Sequence, residues 1–140
     1  MPKLYTDANP TTIAYYLDGG HSGYQKLSGQ WSSMQAEYLA IMYGLTEYFN
    51  KWQKELDARW DNVDGMKVGS PSDRTKRPSP PAVLVCCDNE VVVKQLRLEY
   101  HIGNEGLRKL AVNIWKMCEN VEVKFEWIPR KDNLAGMLLK

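Results

Sequence analysis

The chain has 140 residues, about the size of one domain, and 44% of them are hydrophobic, which is enough to build a core. Its 18 basic and 17 acidic residues give a net charge of +1, so no overall positive field draws it to nucleic acid or to an anionic membrane. No apolar run is long enough to span a bilayer, and the N-terminus has no signal-peptide pattern. We therefore expect a single domain over residues 1–140, monomeric, cytoplasmic and without membrane contact.

The first 30 residues predict three antiparallel strands. Residues 3–6 form a short strand that ends at Asp7, and the turn residues Asn9 and Pro10 lead into a second strand at 13–17. Two glycines then reverse the chain, and residues 22–28 return as a third strand.

A long helix and a loop follow. Ser32 or Ser33 is a suitable N-cap, and apolar residues recur at three- and four-residue steps through Asn50 and toward Trp60. Residues 61–81 are rich in Gly and Pro and carry four basic residues, which predicts a flexible inserted loop. The loop is either a solvated insertion or a surface for a partner.

The second half predicts a strand, two helices, another strand and a final helical turn, at residues 83–87, 90–98, 107–118, 121–127 and 132–140. The first of these strands is apolar throughout, as in a central strand covered on both faces. Helices between strands require crossover connections and hence parallel pairing. The order predicts an α/β fold whose five-stranded mixed sheet has three antiparallel strands, then two parallel ones, with helices on both faces.

The cysteines and histidines do not form a zinc motif. Cys86, Cys87 and Cys118 are an odd number of cysteines, and two of them are adjacent in a strand, so we expect reduced core thiols. His21 and His101 are isolated in the sequence and lack the spacing of zinc ligands.

Three acids stand beside apolar runs that packing would carry to the edge of a core. They are Asp7, Glu37 and Asp88. Taken alone, each has an ordinary explanation: Asp7 as a turn residue, Glu37 as a solvent-facing helix residue and Asp88 as a helix cap. Together they suit Mg²⁺, with Mn²⁺ as a possible substitute, because hard cations prefer oxygen ligands. Phosphodiester cleavage commonly uses two such cations about 4 Å apart, and crowded carboxylates should show a raised pKa until metal binds.

The order strand-Asp, helix-Glu, strand-Asp resembles the ribonuclease H family, type 1-like, in the branch without a basic protrusion and with a Pro-Arg-x-x-Asn final loop. The stretches that carry the resemblance are Tyr5-Thr6-Asp7, Ser33-Met34-Gln35-Ala36-Glu37, Cys87-Asp88-Asn89, residues 94–107 and residues 125–133. It covers all but the loop near 61–81. The resemblance implies a metal-dependent endoribonuclease that hydrolyses the RNA strand of RNA/DNA hybrids, with Asp7, Glu37 and Asp88 as catalytic residues and metal ligands.

One position departs from the family pattern. In the family, the Asn that corresponds to Asn133 is followed by an Ala-Asp pair whose Asp is a fourth metal ligand. In this chain, a gapless alignment places Met137 at the position of that Asp, and a one-residue shift places Gly136 there. Neither side chain binds Mg²⁺, and the nearby Asp132 does not match the position. The alternative function is therefore a catalytically weakened nucleic-acid-binding module or pseudoenzyme of the same fold. A third is a protein-interaction domain that uses the loop at 61–81.

Substrate contacts are expected beside the acids. Asn9, Gln35 and Asn89 carry amides that can donate to and accept from a 2′-hydroxyl, although each could instead cap a turn or helix. Arg130 stands where some family members carry a loop His. A permanently charged guanidinium suits phosphate contact or metal-site electrostatics better than proton transfer, and the alternative is a surface salt bridge.

Overall fold

The computed structural model describes residues 1–61 and 80–139, so most of the expected loop, residues 62–79, lies outside the described residues. Five strands form one sheet in the order β3-β2-β1-β4-β5: β1 (Lys3–Asn9), β2 (Thr12–Leu17), β3 (His21–Lys26), β4 (Val83–Cys87) and β5 (Val123–Trp127). Strands β1 to β3 pair antiparallel, and β4 pairs parallel with β1 and with β5. The predicted fold class is confirmed.

The helices of the described residues are α1 (Ser33–Asp61), α2 (Glu90–Leu96), α3 (Glu105–Met117) and two 3₁₀ helices, Arg130–Asp132 and Leu134–Leu139. Asn89 and Asn104 cap α2 and α3, because their side-chain oxygens accept from backbone N–H groups in the first turn. No helix in these residues is both long and apolar enough to cross a membrane.

Several predicted boundaries were wrong. Strand β3 ends at Lys26 rather than at 28, and β5 begins at Val123 rather than at 121. Strand β1 does not end before Asp7 but continues through it to Asn9, because β2 pairs with it over that whole length. Helix α2 ends at Leu96, two residues early, because Leu98 adopts a positive φ that ends the helix. The tail forms 3₁₀ helices, of which the longer begins only at Leu134.

The core lies between the sheet and helices α1 and α2, and α3 packs against α1. Gly44 allows α1 to approach β1 closely, since a Cβ there would stand 3.1 Å from Thr6 Cγ2. Tyr15 of β2 meets Tyr43 of α1 edge-on, with ring centroids 5.1 Å apart. The 3₁₀ helix Leu134–Leu139 packs against β1, β2 and β3. Side chains alternate along a strand, so Thr6 faces α1 whereas Asp7 faces this 3₁₀ helix.

Candidate active site and metal centre

The three predicted acids meet in one cluster. Asp7, Glu37 and Asp88 each offer a carboxylate oxygen, and these oxygens lie within 4.8 Å of one another. Thr6 and Cys87 form the last parallel pair between β1 and β4, so Asp7 and Asp88, which follow them, lie side by side where these two strands separate. Glu37 enters from the first turns of α1. The structure thus brings the acids together, and their catalytic role stays a prediction.

The cluster is buried, which makes its negative charge costly. Asp7 and Glu37 are each 6% exposed, and the Asp88 side chain is 4% exposed. Burial, with the charges of Asp7 and Asp88, raises the pKa of Glu37 to about 8. Burial and the neighbouring Asp88 also raise the pKa of Asp7. Without a cation, the cluster therefore retains a proton at neutral pH.

Hydrogen bonds fix the orientation of the carboxylates. Asp7 Oδ1 accepts from its neighbour's backbone N–H, 2.8 Å from Ala8 N. Glu37 Oε2 lies 3.7 Å from the thiol sulfur of Cys87, which donates to it. Asp88 Oδ2 accepts from Asn133 Nδ2 at 3.2 Å and has Arg130 Nε at 3.9 Å. That arginine side chain is 87% exposed, so solvent screens its charge.

The position opposite Asp7 is filled by a glycine. Of the two alignments left open by the sequence, it is Gly136 whose backbone faces the carboxylate, since a Cβ there would stand 3.1 Å from Asp7 Oδ2. Met137 is exposed and borders a cleft that Asp7 and Gly136 also line. Asp132 does not belong to the group of close acids found among the described residues. The cluster therefore has three carboxylates in the described part of the chain.

Two open clefts flank the cluster. One, of about 400 Å³, is bordered by Asp7 and the 3₁₀ helix that contains Gly136. The other, of about 440 Å³, is bordered by Glu37 and Asp88. Asn9 and Arg130 border both clefts. A ligand that lies along this edge of the sheet would therefore pass over all three acids.

The residues predicted to bind substrate lie around these clefts, with one exception. Asn9 closes the β1–β2 turn, where its Oδ1 accepts from the backbone of Thr12 at 2.8 Å. Asn89 borders the second cleft, but its Oδ1 caps α2. Gln35 Oε1 accepts from Ser32 N at 2.9 Å in a capping box, and Gln35 borders neither cleft.

Two residues of the site were missed by sequence reasoning as individual contributors. Asn133 was recognised only as part of the final-loop motif, but its amide contacts Asp88 and the carbonyl of Thr6. Cys87 was predicted to be a core thiol and belongs to the motif Cys87-Asp88-Asn89, but its contact with Glu37 was not predicted. The position of Cys87 directly before Asp88 was the available signal, since the end of β4 lies at the cluster. No local pattern shows which partners Asn133 takes.

Solved structures similar to this chain carry ribonuclease H domains. LC11-RNase H1 in complex with an RNA/DNA hybrid is 22% identical, with 99% of this chain and 93% of that chain covered and a TM-score of 0.66. The N-terminal ribonuclease H domain of a Mycobacterium tuberculosis protein, solved as a fusion with maltose-binding protein, is 18% identical over 98% and 88%, with a TM-score of 0.64. Ribonuclease H1 of the halophilic archaeon Halobacterium salinarum is 19% identical over 99% and 95%, with a TM-score of 0.62.

Sequence comparison adds a partial match. The family model described as reverse transcriptase-like matches residues 80–138, a region that contains Asp88, Arg130 and Asn133. No curated protein matches the chain in sequence. The resemblance stated from the sequence motifs is thereby confirmed: the chain has the ribonuclease H fold.

Proposed function

We propose that this protein is a metal-dependent nuclease that hydrolyses the RNA strand of RNA/DNA hybrids. The observation that carries the proposal is the group of Asp7, Glu37 and Asp88, whose side chains are largely shielded from solvent and whose oxygens lie within 4.8 Å of one another at the edge of a ribonuclease H sheet. A fold alone does not define an activity, so the proposal depends on this cluster.

The cluster fits a hard divalent cation. Its donors are carboxylate oxygens, the ligands that Mg²⁺ and Mn²⁺ prefer, and burial makes the like charges unfavourable unless a cation offsets them. Asp7, Glu37 and Asp88 would hold Mg²⁺, with Mn²⁺ as a possible substitute. A bound cation supplies the Lewis acidity that activates water and offsets charge on the leaving oxygen. The three carboxylates would bind and orient that cation beside the two clefts that they border.

The substrate class follows from a neighbour. LC11-RNase H1 is in complex with an RNA/DNA hybrid, and the same class of ligand suits the two clefts here. With a net charge of +1, the protein would depend on local phosphate contacts, and Arg130 borders both clefts. Asn9 and Asn89 would contact 2′-hydroxyls through amide nitrogens that take no part in capping. Gln35, which borders neither cleft, would contact only a part of the hybrid that extends beyond them. Monomeric state and cytoplasmic location stay predictions from the sequence.

A second function is favoured by Gly136. Because this glycine provides no fourth carboxylate beside Asp7, a protein of this fold with weakened catalysis would still bind cation and hybrid. The alternative is thus a nucleic-acid-binding module that has kept part of the metal site.

Hybrid cleavage in Mg²⁺ and in Mn²⁺ separates the two functions. Asp7→Asn removes a charge from the cluster, and Asp132→Asn is the matched control, since it makes the same change at an acid outside the cluster. For a nuclease, the wild type and Asp132→Asn cleave the RNA strand and Asp7→Asn does not. Hybrid binding without cleavage by the wild type favours the module. Absence of both metal and hybrid binding rejects both functions.

A further inference from the structure

Asn133 makes three hydrogen bonds through one buried side chain. Its Nδ2 donates to the Thr6 carbonyl oxygen at 2.9 Å and to Asp88 Oδ2 at 3.2 Å. Its Oδ1 accepts from the backbone N–H of Ala135, 3.1 Å away. A side-chain amide can donate two hydrogen bonds and accept another at the same time.

Each partner of Asn133 adjoins a part of the metal cluster. Thr6 directly precedes Asp7 in β1, and Asp88 is itself a predicted ligand. Ala135 directly precedes Gly136, whose backbone faces Asp7. One side chain therefore joins the middle of β1, the residue after β4 and the C-terminal 3₁₀ helix, which are far apart in the sequence.

We propose that Asn133 is a positioning residue of the metal centre, holding Asp7 and Asp88 at the spacing that lets them share a cation. The inference rests on the metal site of the proposed function. A neutral amide suits this role, because it orients Asp88 without offsetting the negative charge that attracts the cation. Partners of this kind, outside the ligands themselves, commonly change metal affinity by about 10- to 100-fold.

The other explanation is that Asn133 only ties the C-terminal tail to the sheet. The two explanations differ in one measurable respect. A residue that only ties the tail changes the stability of the fold and leaves the cation affinity of folded molecules unchanged. A positioning residue changes that affinity as well.

The test compares Asn133→Ala with Asn104→Ala. Asn104 is the matched control because its side chain also accepts from a backbone N–H, at the N-cap of α3 and away from the acids. Each protein is titrated with Mg²⁺, and backbone amide NMR shifts of residues 7, 37 and 88 give the affinity of folded molecules. We expect Asn133→Ala to bind Mg²⁺ at least about 10-fold more weakly than wild type and Asn104→Ala to match wild type. A folded Asn133→Ala with wild-type affinity would overturn the inference.

A measurement on the wild type covers the case in which Asn133→Ala does not fold. The side-chain NH₂ signal of Asn133 should shift with Mg²⁺ at the same half-saturation as the backbone signals of Asp7 and Asp88, whereas that of Asn104 should not. An Asn133 signal that ignores Mg²⁺ overturns the inference. Wild-type protein that binds Mg²⁺ but cleaves no hybrid counts against the nuclease alone, and wild type that binds neither Mg²⁺ nor Mn²⁺ overturns both proposals.

Discussion

Gly136 lies beside Asp7 so closely that a Cβ atom on the glycine would stand 3.1 Å from the carboxylate oxygen Oδ2. A carboxylate side chain at this position would reach the cluster, so glycine leaves one side of it open. The residue at 136 therefore controls how many acids can share a cation.

Gly136→Asp should strengthen cation binding at a cost to the metal-free protein. A fourth like charge beside Asp7 and Asp88 destabilises the fold in chelator, and Mg²⁺ removes that penalty. We expect Mg²⁺ affinity to rise about tenfold, equivalent to about 1.4 kcal/mol of added stabilisation at saturating metal. Thermal unfolding in EDTA and in Mg²⁺ measures both effects.

Gly136→Asn is the control for that experiment, since it adds the same volume without charge. Both variants must displace Asp7 slightly, and only the Asp variant adds a ligand. Equal responses of the two variants to Mg²⁺ would show that position 136 does not reach the cation.

The raised pKa of Glu37 predicts how metal-free stability changes with pH. The unfolded chain loses this proton near its usual value of 4.5, whereas the folded protein keeps it until about 8. Between these values the folded state binds more protons, so the free energy of unfolding falls as pH rises from about 4.5 to about 8 and then levels off. The raised pKa of Asp7 acts in the same direction.

Urea denaturation in EDTA at several pH values measures this decrease, which we expect to be on the order of a few kcal/mol. Glu37→Gln cannot ionise and should lose most of the pH dependence. The prediction fails if the slope of stability against pH is the same in Glu37→Gln and in wild type.

Arg130 is expected to contribute to hybrid binding through phosphate. Because it borders both clefts and is largely exposed, Arg130→Ala should weaken binding several-fold and lower the slope of log affinity against log salt by about one. Arg108→Ala, on α3 and bordering neither of these clefts, is the control. Hybrid-binding curves at three salt concentrations are sufficient to measure this slope. An unchanged salt slope in Arg130→Ala would indicate that Arg130 forms a surface salt bridge instead of a phosphate contact.

Local sequence pattern and topology were sufficient to predict the part of the site in which Asp7 and Asp88 meet. Apolar runs and alternation identify β4 and β5, and crossover connections require parallel pairing, which places Asp88 next to Asp7. The tail could not be predicted in the same way. Whether Gly136 or Met137 faces the acids depends on the pitch of a short 3₁₀ helix. The partners of Asn133 include a carbonyl 127 residues earlier in the chain, and no local preference encodes such a contact.

Thr6 offers a test of packing next to the site. Its hydroxyl is the buried side-chain polar group without a hydrogen-bond partner in the described part of the chain. Thr6→Val keeps the shape and removes this unpaired group, so it should raise the free energy of unfolding by about 1 kcal/mol. Thr46→Val removes a hydroxyl that donates to the Met42 carbonyl and should not stabilise. Chemical denaturation gives the free energy of unfolding of both variants and of wild type. A Thr6→Val protein less stable than wild type would mean that the Thr6 hydroxyl does have a hydrogen-bond partner.

Leu98 stores backbone strain at the end of α2. Its φ is +65°, a conformation that costs an L-residue with a Cβ roughly 1–2 kcal/mol. The two hydrogen bonds that close the helix, from Leu98 N to Gln95 O and from Glu99 N to Lys94 O, form the motif that usually places glycine at this position. The side chain is 76% exposed, so its removal sacrifices little burial.

Leu98→Gly should therefore stabilise the fold by about 1 kcal/mol, after the greater freedom of glycine in the unfolded chain is subtracted. Leu98→Ala separates the two contributions, because alanine removes the exposed side chain but keeps the Cβ that causes the strain. We expect the alanine variant to match wild type in chemical denaturation. Equal stabilities of the glycine and alanine variants would show that the relief of strain only offsets the greater freedom of glycine in the unfolded chain, and the expected net gain would then be refuted. A glycine variant less stable than alanine would mean that this freedom outweighs the strain.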